Sequence, residues 1–371
     1  MKRLIVCCDG TWQSLDNSWP TNVQRIAQFV LPTDDRDADK PVSQIVYYDS
    51  GVGTRGGLDK LTGGAFGDGL DIEIREAYRF LCLNYEEGDE IYLFGFSRGA
   101  YTIRSLAGLI YSCGLVRRTK LNAIPRAVSL YRDRTIRPNH DECVHFRMDC
   151  GLSGQDDCPP IHFLGCWDTV GSLGIPDAIP WLPVDEWLSD KYKFHDMELG
   201  PHIRHARHAV AIDEDRKVFS VTGMTKTDNA YQTSTGETFD QTLKQIWFPG
   251  DHGGVGGGER EKRSLSDCAL KWMMDEAAAY GLAFDVRPDY IGDFVQPDPL
   301  AKFPEEKRGF LRALMSKEKP RVISDDFSAI SDEARQRWKT FRNNEDDYRP
   351  EPLKKFEQQL TEWANQLEDL H

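Results

Sequence analysis

A five-residue motif at the junction of a predicted strand and a predicted helix constrains the fold of this chain most strongly. Residues 88–94 contain a short apolar, aromatic-rich run typical of a buried strand, and apolar residues recur at helical spacing from Ala100 onward. Between the two stands Gly-Phe-Ser-Arg-Gly at 95–99, a match to G-x-S-x-G. In this context the motif indicates a nucleophile elbow, in which a serine is exposed at the edge of an α/β sheet.

The glycines of the motif have a steric purpose. A serine on so sharp a turn takes a strained backbone conformation, and a side chain on either flank would collide with the neighbouring strand or helix. The turn also places the serine at a helix N-terminus, which favours developing negative charge. We therefore predict Ser97 as nucleophile, Gly95 and Gly99 as the elbow glycines, and the Arg98 N–H as one donor of an oxyanion hole. The alternative is an ordinary serine in a glycine-flanked turn.

The order of the other predicted elements favours a mostly parallel sheet flanked by helices. Strands and helices alternate before and after the elbow, which is typical of parallel α/β folds. The predicted strands are residues 3–8, 44–48, 161–166 and 245–249, and the predicted helices include residues 23–30, 71–85, 202–213 and 264–280. The fold class is therefore α/β and α/β-hydrolase-like.

The character of the chain changes after about residue 288. Strand signals disappear, Pro, Lys, Glu and Arg dominate, and residues 353–370 have the pattern of a charged amphipathic helix. A length of 371 residues suits one large α/β domain with an appendage, or two modest domains. We predict a catalytic domain over residues 1–288 and a charged, largely helical appendage over 289–371, which packs on the core or meets a protein partner.

Two further side chains suit a catalytic triad. Asp168 directly follows the predicted strand 161–166, and His252 stands in a glycine-rich loop after the last predicted strand. A histidine there can reach the serine as general base, and the carboxylate can hold the imidazole in the correct tautomer. The residues leave competing acids and bases open, namely Asp213 and Asp251 as acids and His205 and His208 as bases.

The loop after the first strand lies where open α/β sheets place their sites. We predict that backbone N–H groups of Gly10 and Thr11 complete the oxyanion hole, and that Asp9 and Trp12 are candidate substrate contacts. Asp9 can also orient this loop, and the alternative is an aspartate that caps a turn. An acid followed by Gly and Thr also resembles the haloacid dehalogenase phosphatases. That chemistry needs a second acid two positions on, where this chain has Thr11.

Two other segments are candidates for covering the site. Residues 175–199 are rich in proline and large aromatic residues, which excludes one regular helix and favours a cap with an apolar wall for an acyl chain. Trp181 and Trp187 are its candidate substrate contacts, and a packed loop is the alternative. Residues 51–56 match G-x-G-x-x-G in letters, but a lone match favours a close-packed loop over a nucleotide cradle.

Composition excludes several classes of function. The formal net charge of −14 argues against nucleic acid and against strong adsorption to anionic bilayers, so membrane contact is at most peripheral. Nine cysteines without a C-x-x-C pair favour reduced thiols, and no metal or cofactor is predicted. No signal peptide or apolar span of ~20 residues is present. We expect a protein that is cytoplasmic as synthesised, with any export through a signal-independent secretion system.

Taken together, the motifs resemble a known family, the α/β-hydrolase domain of type VI secretion lipase effectors, which also occurs as a domain of unknown function in other bacterial and fungal proteins. The matching blocks are Cys-Asp-Gly-Thr-Trp at 8–12, Tyr-Asp-Ser-Gly-Val-Gly-Thr at 48–54, the elbow with its continuation at 95–104, Trp-Asp-Thr-Val-Gly at 167–171, Phe-His-Asp at 194–196, His-Ala-Val-Ala-Ile-Asp-Glu at 208–214 and Trp-Phe-Pro-Gly at 247–250. They cover roughly residues 2–281 in the family's order. The resemblance implies a triad of Ser97, Asp168 and His252.

The resemblance also implies ester hydrolysis, of phospholipid acyl esters in the secreted members. Two departures bear on this. The family usually has His-Ser-Asp-Val-Gly-Gly where this chain has His-Gly-Gly-Val-Gly-Gly at 252–257, and the long membrane-docking regions are not evident. The sequence therefore predicts a serine esterase or lipase acting on an ester or lipid molecule. The alternative is a catalytically idle binding or interaction module with the same fold.

Overall fold

A seven-stranded sheet forms the centre of the molecule. The computed structural model describes residues 1–10, 19–51, 63–171, 198–216, 219–228, 231–232, 236, 238–285, 287, 295–303, 320–341 and 348–368. The sheet strands are β1 (Arg3–Cys8), β2 (Thr33–Asp34), β3 (Val42–Asp49), β4 (Glu90–Phe96), β5 (Ile161–Trp167), β6 (Ile203–Ala211) and β9 (Thr242–Phe248). They lie side by side in the order β2-β3-β1-β4-β5-β6-β9. Two short strands, β7 (Tyr231–Gln232) and β8 (Thr238–Phe239), pair separately.

The pairing of the strands brings several loops to one edge of the sheet. β1 pairs in parallel with β3 and β4, and parallel pairing continues through β5 and β6 to β9. Only β2 in this sheet runs antiparallel to its neighbour. The carboxyl ends of β1, β4, β5 and β9 therefore share an edge, where open α/β sheets carry their sites. The prediction of a mostly parallel α/β fold is confirmed.

Helices cover both faces of the sheet. They are α1 (Asn22–Phe29), α2 (Gly63–Asn84), α3 (Arg98–Cys113), α4 (Ile124–Arg132), α5 (Asp141–Cys150), α6 (His252–Gly256), α7 (Arg263–Ala279), α8 (Asp332–Thr340) and α9 (Glu357–Glu368). One apolar core packs helices α2, α3, α4 and α5 against one face of the sheet. A second packs α1 and α7 against the opposite face. Because both faces are covered, β1 and β4 are nearly continuous apolar runs, as the sequence indicates.

The prediction of a helix over residues 202–213 is wrong, because this stretch forms β6. Its Ala, Arg and His residues carry little strand propensity, and a short buried run does not show by periodicity whether it is helix or strand. β6 lies between β5 and β9, with its last six residues all buried. Tertiary pairing therefore decides the structure here.

The C-terminal residues pack on the end of the sheet. A third apolar core brings Val210, Ile212 and Trp247 together with Ile330 and Trp338 from the C-terminal segment. The Ser331 N–H also donates to the Trp247 carbonyl at 3.0 Å. The segment thus shares a core with β6 and β9, while the domain boundary at residue 288 stays a prediction.

Several classes of feature can be reported for the described part of the chain. No helix there is both long enough and apolar enough to cross a membrane. All nine cysteines fall within it, and each is a buried free thiol. Within the same ranges, no three or more His, Cys, Asp or Glu residues lie close enough together to hold a metal ion.

Candidate active site

Ser97 occupies a strained turn between the central strand and the helix that follows it. β4 ends at Phe96, α3 begins at Arg98, and Ser97 between them has φ 57° and ψ −119°. A positive φ is costly for a residue with a Cβ and persists only where the surroundings hold it. The Ser97 N–H donates to the Trp167 carbonyl at 3.0 Å, and the Ser97 carbonyl accepts from Tyr101 N at 3.3 Å. These bonds fix the turn to β5 on one side and to α3 on the other.

Glycines allow this turn to approach its neighbours. A Cβ on Gly99 would lie 1.9 Å from the Cys8 carbonyl oxygen at the end of β1. A Cβ on Gly95 would lie 2.5 Å from the Gly99 carbonyl oxygen. Real Cβ atoms do not come so close to backbone, so a side chain at either position would displace the first turn of α3.

His252 begins the short helix α6 and faces the serine. Its Nε2 lies 2.8 Å from Ser97 Oγ. The imidazole lies between two aromatic rings, with ring centroids 4.6 Å from Phe96 and 4.5 Å from Phe219. The backbone N–H of His252 donates to Glu214 Oε2 at 3.1 Å. Both the ring and the backbone of the histidine are therefore held in place.

Asp168 follows β5 and is fully buried, with φ 39°. Its Oδ2 accepts from His252 Nδ1 at 2.5 Å, and its Oδ1 accepts from Ala211 N at 3.0 Å. Arg321 donates to both oxygens, at 2.5 Å to Oδ1 and 3.0 Å to Oδ2. Burial alone would raise the pKa of Asp168, but the charge of Arg321 and the bond from His252 outweigh it and hold that pKa well below its usual range.

The structure thus brings three predicted residues into one hydrogen-bonded chain. Ser97 and His252 are 155 positions apart, and His252 and Asp168 are 84 apart. With Nδ1–H donating to the carboxylate, Nε2 is left to accept the serine proton. The arrangement can therefore generate a serine alkoxide while the carboxylate stabilises the resulting imidazolium.

The competing acids Asp213 and Asp251 have other partners. Asp251 caps α6 by accepting from Gly254 N at 2.8 Å and pairs with Lys262 at 2.7 Å. Asp213 Oδ2 accepts from Gly250 N at 2.7 Å and from the Tyr348 hydroxyl at 3.0 Å. Each shapes the loop that carries His252 rather than bonding to its imidazole.

Asp213 makes stability depend on pH. Burial raises its pKa to about 7, so between about pH 4 and 7 the folded state holds a proton that the unfolded state has lost. The free energy of unfolding therefore falls as pH rises through this window. We expect Asp213→Asn to flatten this fall and to raise the free energy of unfolding at pH 8 by on the order of a few kcal/mol. Urea denaturation at about pH 5 and about pH 8 measures both effects.

Asp251→Asn is the matched control for this prediction. The charge of Lys262 overcomes the effect of burial on Asp251, and the pKa of Asp251 is lowered. Its ionised form therefore stabilises the fold, and its substitution should lower the free energy of unfolding above about pH 4. An Asp213→Asn protein that loses stability at pH 8 as much as Asp251→Asn would contradict the assignment.

The competing bases His205 and His208 lie on β6 with other partners. His205 Nδ1 lies 3.0 Å from Thr242 Oγ1. His208 Nε2 accepts from Thr169 N at 3.1 Å, and its Nδ1 lies 2.9 Å from Gln245 Oε1. Burial lowers the pKa of each imidazole to about 4, so both are neutral at pH 7. Their contacts are those of structural histidines within the sheet.

Asp9, in the loop after β1, is held by several hydrogen bonds. Asp9 is 1% exposed and accepts hydrogen bonds from Thr21 Oγ1 at 2.5 Å, Tyr48 Oη at 2.8 Å and Gly10 N at 2.7 Å. The Gly10 N–H is therefore directed at Asp9, although a Cβ on Gly10 would lie only 3.4 Å from Ser97 Cβ. These contacts show that Asp9 and Gly10 shape the loop, and their predicted substrate and oxyanion contacts stay predictions.

Several predicted residues fall outside the described part of the chain. They are Thr11, Trp12, Trp181 and Trp187, with most of the glycine-rich stretch after Gly51. Gly51 itself has φ 78°, and a Cβ there would lie 2.4 Å from the Gly10 carbonyl oxygen. This is the close packing that the sequence favours at the start of that stretch.

Three residues at the site were not predicted. Glu214 belongs to the block 208–214 that resembles the family, but no role was predicted for it. Phe219 and Arg321 belong to no motif, and Arg321 is 153 positions from Asp168. The departure at 253 also has a structural setting, because a Cβ on Gly253 would lie 2.5 Å from Glu259 Oε1. A serine there would require that carboxylate to move.

The sheet and the chain of hydrogen bonds at its edge define an α/β-hydrolase-like protein with serine, histidine and aspartate at its carboxyl edge. Within that class, the chain belongs to the family described as T6SS, phospholipase effector Tle1-like, catalytic domain, whose model matches residues 2–276. The family resemblance predicted from the sequence is thereby confirmed.

Individual relatives are more distant. The uncharacterized protein YEL023C of Saccharomyces cerevisiae is 25% identical over 423 residues, a match covering 79% of this chain and 59% of the yeast protein. A crystal structure of an uncharacterized protein from Pseudomonas aeruginosa is 15% identical, with a TM-score of 0.44 over 98% of this chain and 59% of that one. The Tle1 effector bound to the VgrG spike of the type 6 secretion system is 15% identical, with a TM-score of 0.45 over 87% and 81%.

Proposed function

We propose that this chain is a serine hydrolase that cleaves carboxylic esters through an acyl-enzyme. The observation that carries the proposal is the continuous hydrogen-bonded chain from Ser97 through His252 to Asp168, with contacts of 2.8 and 2.5 Å. Nucleophile, base and orienting acid lie within the reach that this chemistry needs.

In the acylation half, His252 Nε2 takes the proton of Ser97 Oγ as that oxygen bonds to the ester carbonyl carbon. The carbonyl oxygen becomes an oxyanion, held by the Arg98 N–H at the start of α3 and by an N–H of the loop after β1, for which Thr11 is the candidate. Nε2 then returns its proton to the leaving alcohol as the C–O bond breaks. The acyl group remains on Ser97.

In the deacylation half, water takes the place of the alcohol. His252 removes a proton from the water as its oxygen bonds to the acyl carbon, and the same donors hold the second oxyanion. Collapse returns the proton to Ser97 Oγ and releases the carboxylic acid. Throughout both halves, Asp168 keeps Nδ1 protonated and offsets the charge of the imidazolium.

The family suggests the substrate class. Its description names a phospholipase effector, and we infer that phospholipid acyl esters are substrates of this chain. The net charge of −14 implies peripheral contact with a lipid surface rather than strong electrostatic adsorption. A protein partner docking through the C-terminal segment remains a further proposal.

A fluorophosphonate probe tests the proposed chemistry directly. We expect stoichiometric labelling at Ser97, mapped by peptide mass spectrometry, because the probe reacts with a serine activated by a neighbouring base. The folded protein should also hydrolyse short-chain p-nitrophenyl esters and phosphatidylcholine vesicles. Folded wild-type protein that is neither labelled nor active would favour the alternative of a binding module. Activity on short esters but not on the vesicles would overturn only the proposal that phospholipid is the substrate.

A further inference from the structure

We propose that Arg321 is a positioning residue of the active site, holding Asp168 and its surroundings in the geometry that His252 requires. This inference rests on the proposed function. Arg321 lies 45 positions beyond the last residue of the family match, residue 276, in the segment that packs against β6 and β9. The catalytic unit therefore extends past the matched region.

The contacts of the guanidinium support this role. Besides its two bonds to Asp168, Arg321 Nη1 donates to the Ala211 carbonyl at 2.9 Å and Nη2 donates to the Phe219 carbonyl at 2.7 Å. Ala211 ends β6 and supplies the N–H that binds Asp168 Oδ1, and the ring of Phe219 stacks on His252. One planar group thus joins the carboxylate, the strand end beside it and the aromatic wall of the imidazole.

The C-terminal segment also contacts the loop that carries His252. Tyr348 donates to Asp213, which in turn accepts from Gly250 two residues before the histidine. Arg321 is 8% exposed, and its segment is fixed by the shared apolar core. Removal of the arginine charge would leave a buried carboxylate whose remaining cationic partner, among the described residues, is the imidazolium formed during the reaction.

This charge balance predicts a change in pH dependence. Without Arg321 the imidazolium faces an uncompensated carboxylate, and the carboxylate itself becomes easier to protonate. Both effects move the acid limb of kcat/KM to higher pH. Among the described residues, the other charged or titratable groups around the site stay in place, namely Glu214 with Arg216, Asp251 with Lys262, and the buried Asp9, Asp213, His208 and Arg104.

The test compares Arg321→Met with Arg337→Met. Arg337 is 4% exposed and donates to the carbonyls of Pro299 and Ala301 at 2.7 Å, so it anchors the same segment through backbone oxygens. We expect Arg321→Met to lower kcat near pH 7 by about 100-fold, with KM little changed, and to move the acid limb upward by about one pH unit or more. Arg337→Met should leave the acid limb in place whatever it does to stability.

Arg321→Lys provides a second variant if the methionine protein does not fold. Lysine restores the charge but not the paired hydrogen bonds of the planar guanidinium. The acid limb should therefore return toward that of the wild type, while kcat stays below the wild-type value. A folded Arg321→Met protein with the acid limb of the wild type, or an Arg321→Lys protein with the kcat of the wild type, would overturn the positioning role while leaving the esterase intact. A wild-type protein with no esterase activity would overturn the proposed function and this inference with it.

Discussion

Ser97→Ala is expected to abolish ester hydrolysis while leaving the fold intact. Removal of the nucleophile of a Ser-His-Asp triad typically costs about 10⁴-fold or more in kcat, since only binding and oxyanion stabilisation remain. Alanine keeps the Cβ that the turn already accommodates, and the backbone bonds of residue 97 to β5 and α3 do not involve the hydroxyl. Circular dichroism and the urea midpoint should therefore match the wild type.

A serine elsewhere in the chain provides the control for this variant. Ser43 is exposed at the amino end of β3, opposite the carboxyl edge that carries the site, and Ser43→Ala should keep wild-type kcat and fluorophosphonate labelling. Rates for Ser97→Ala within tenfold of the control would show that another group carries the nucleophile. Such a result would remove the proposed mechanism although the sheet and the family assignment would stand.

The strongest local constraints on the backbone could be read from the sequence. G-x-S-x-G between an apolar run and a helical pattern demands a specific backbone, so Gly95 and Gly99 identify the turn without any knowledge of distant contacts. Likewise, an acid or a histidine directly after a strand must lie at the carboxyl edge of a parallel sheet. These local rules made Asp168 and His252 candidates for the triad, and the structure places both within hydrogen-bond distance of each other.

Features that depend on tertiary contacts were not readable in this way. β6 was predicted as a helix because Ala, Arg and His give no strand signal, and only its position between β5 and β9 settles its conformation. Gly10 stands beside Ser97 as expected, yet its N–H turns to Asp9 because that carboxylate, once buried, needs donors. Burial raises the pKa of Asp9 to about 6, against which its three hydrogen bonds act.

The choice among the three acids shows how burial and pairing separate similar side chains. Asp168, Asp213 and Asp251 all follow strands or precede the histidine in sequence. The place of Asp168 after the next strand beyond the serine favoured it, but the residue pattern left the other two open. In the structure Asp251 pairs with Lys262 and Asp213 with Tyr348, whereas Asp168 alone of the three bonds to the imidazole of His252. The distinction depends on partners up to 153 positions away.

Asp168→Asn is the variant that decides between these acids. An amide cannot offset the imidazolium charge and favours the wrong tautomer of His252, which typically costs about 10⁴-fold in kcat. It also leaves Arg321 buried without a carboxylate, so the free energy of unfolding should fall as well. Measurement of kcat on the folded protein, with circular dichroism as the check on structure, separates the catalytic loss from the loss of stability.

Asp213→Asn and Asp251→Asn are the matched comparisons, since each removes one carboxylate from the same region with an isosteric amide. Asparagine caps helices about as well as aspartate, so α6 should keep its start in Asp251→Asn. We expect both proteins to retain kcat within about tenfold, because neither acid bonds to the imidazole. A large loss of kcat in one of them, with Asp168→Asn near wild-type activity, would assign the role of orienting acid to that other residue. The His252 loop would then have to rearrange when substrate binds.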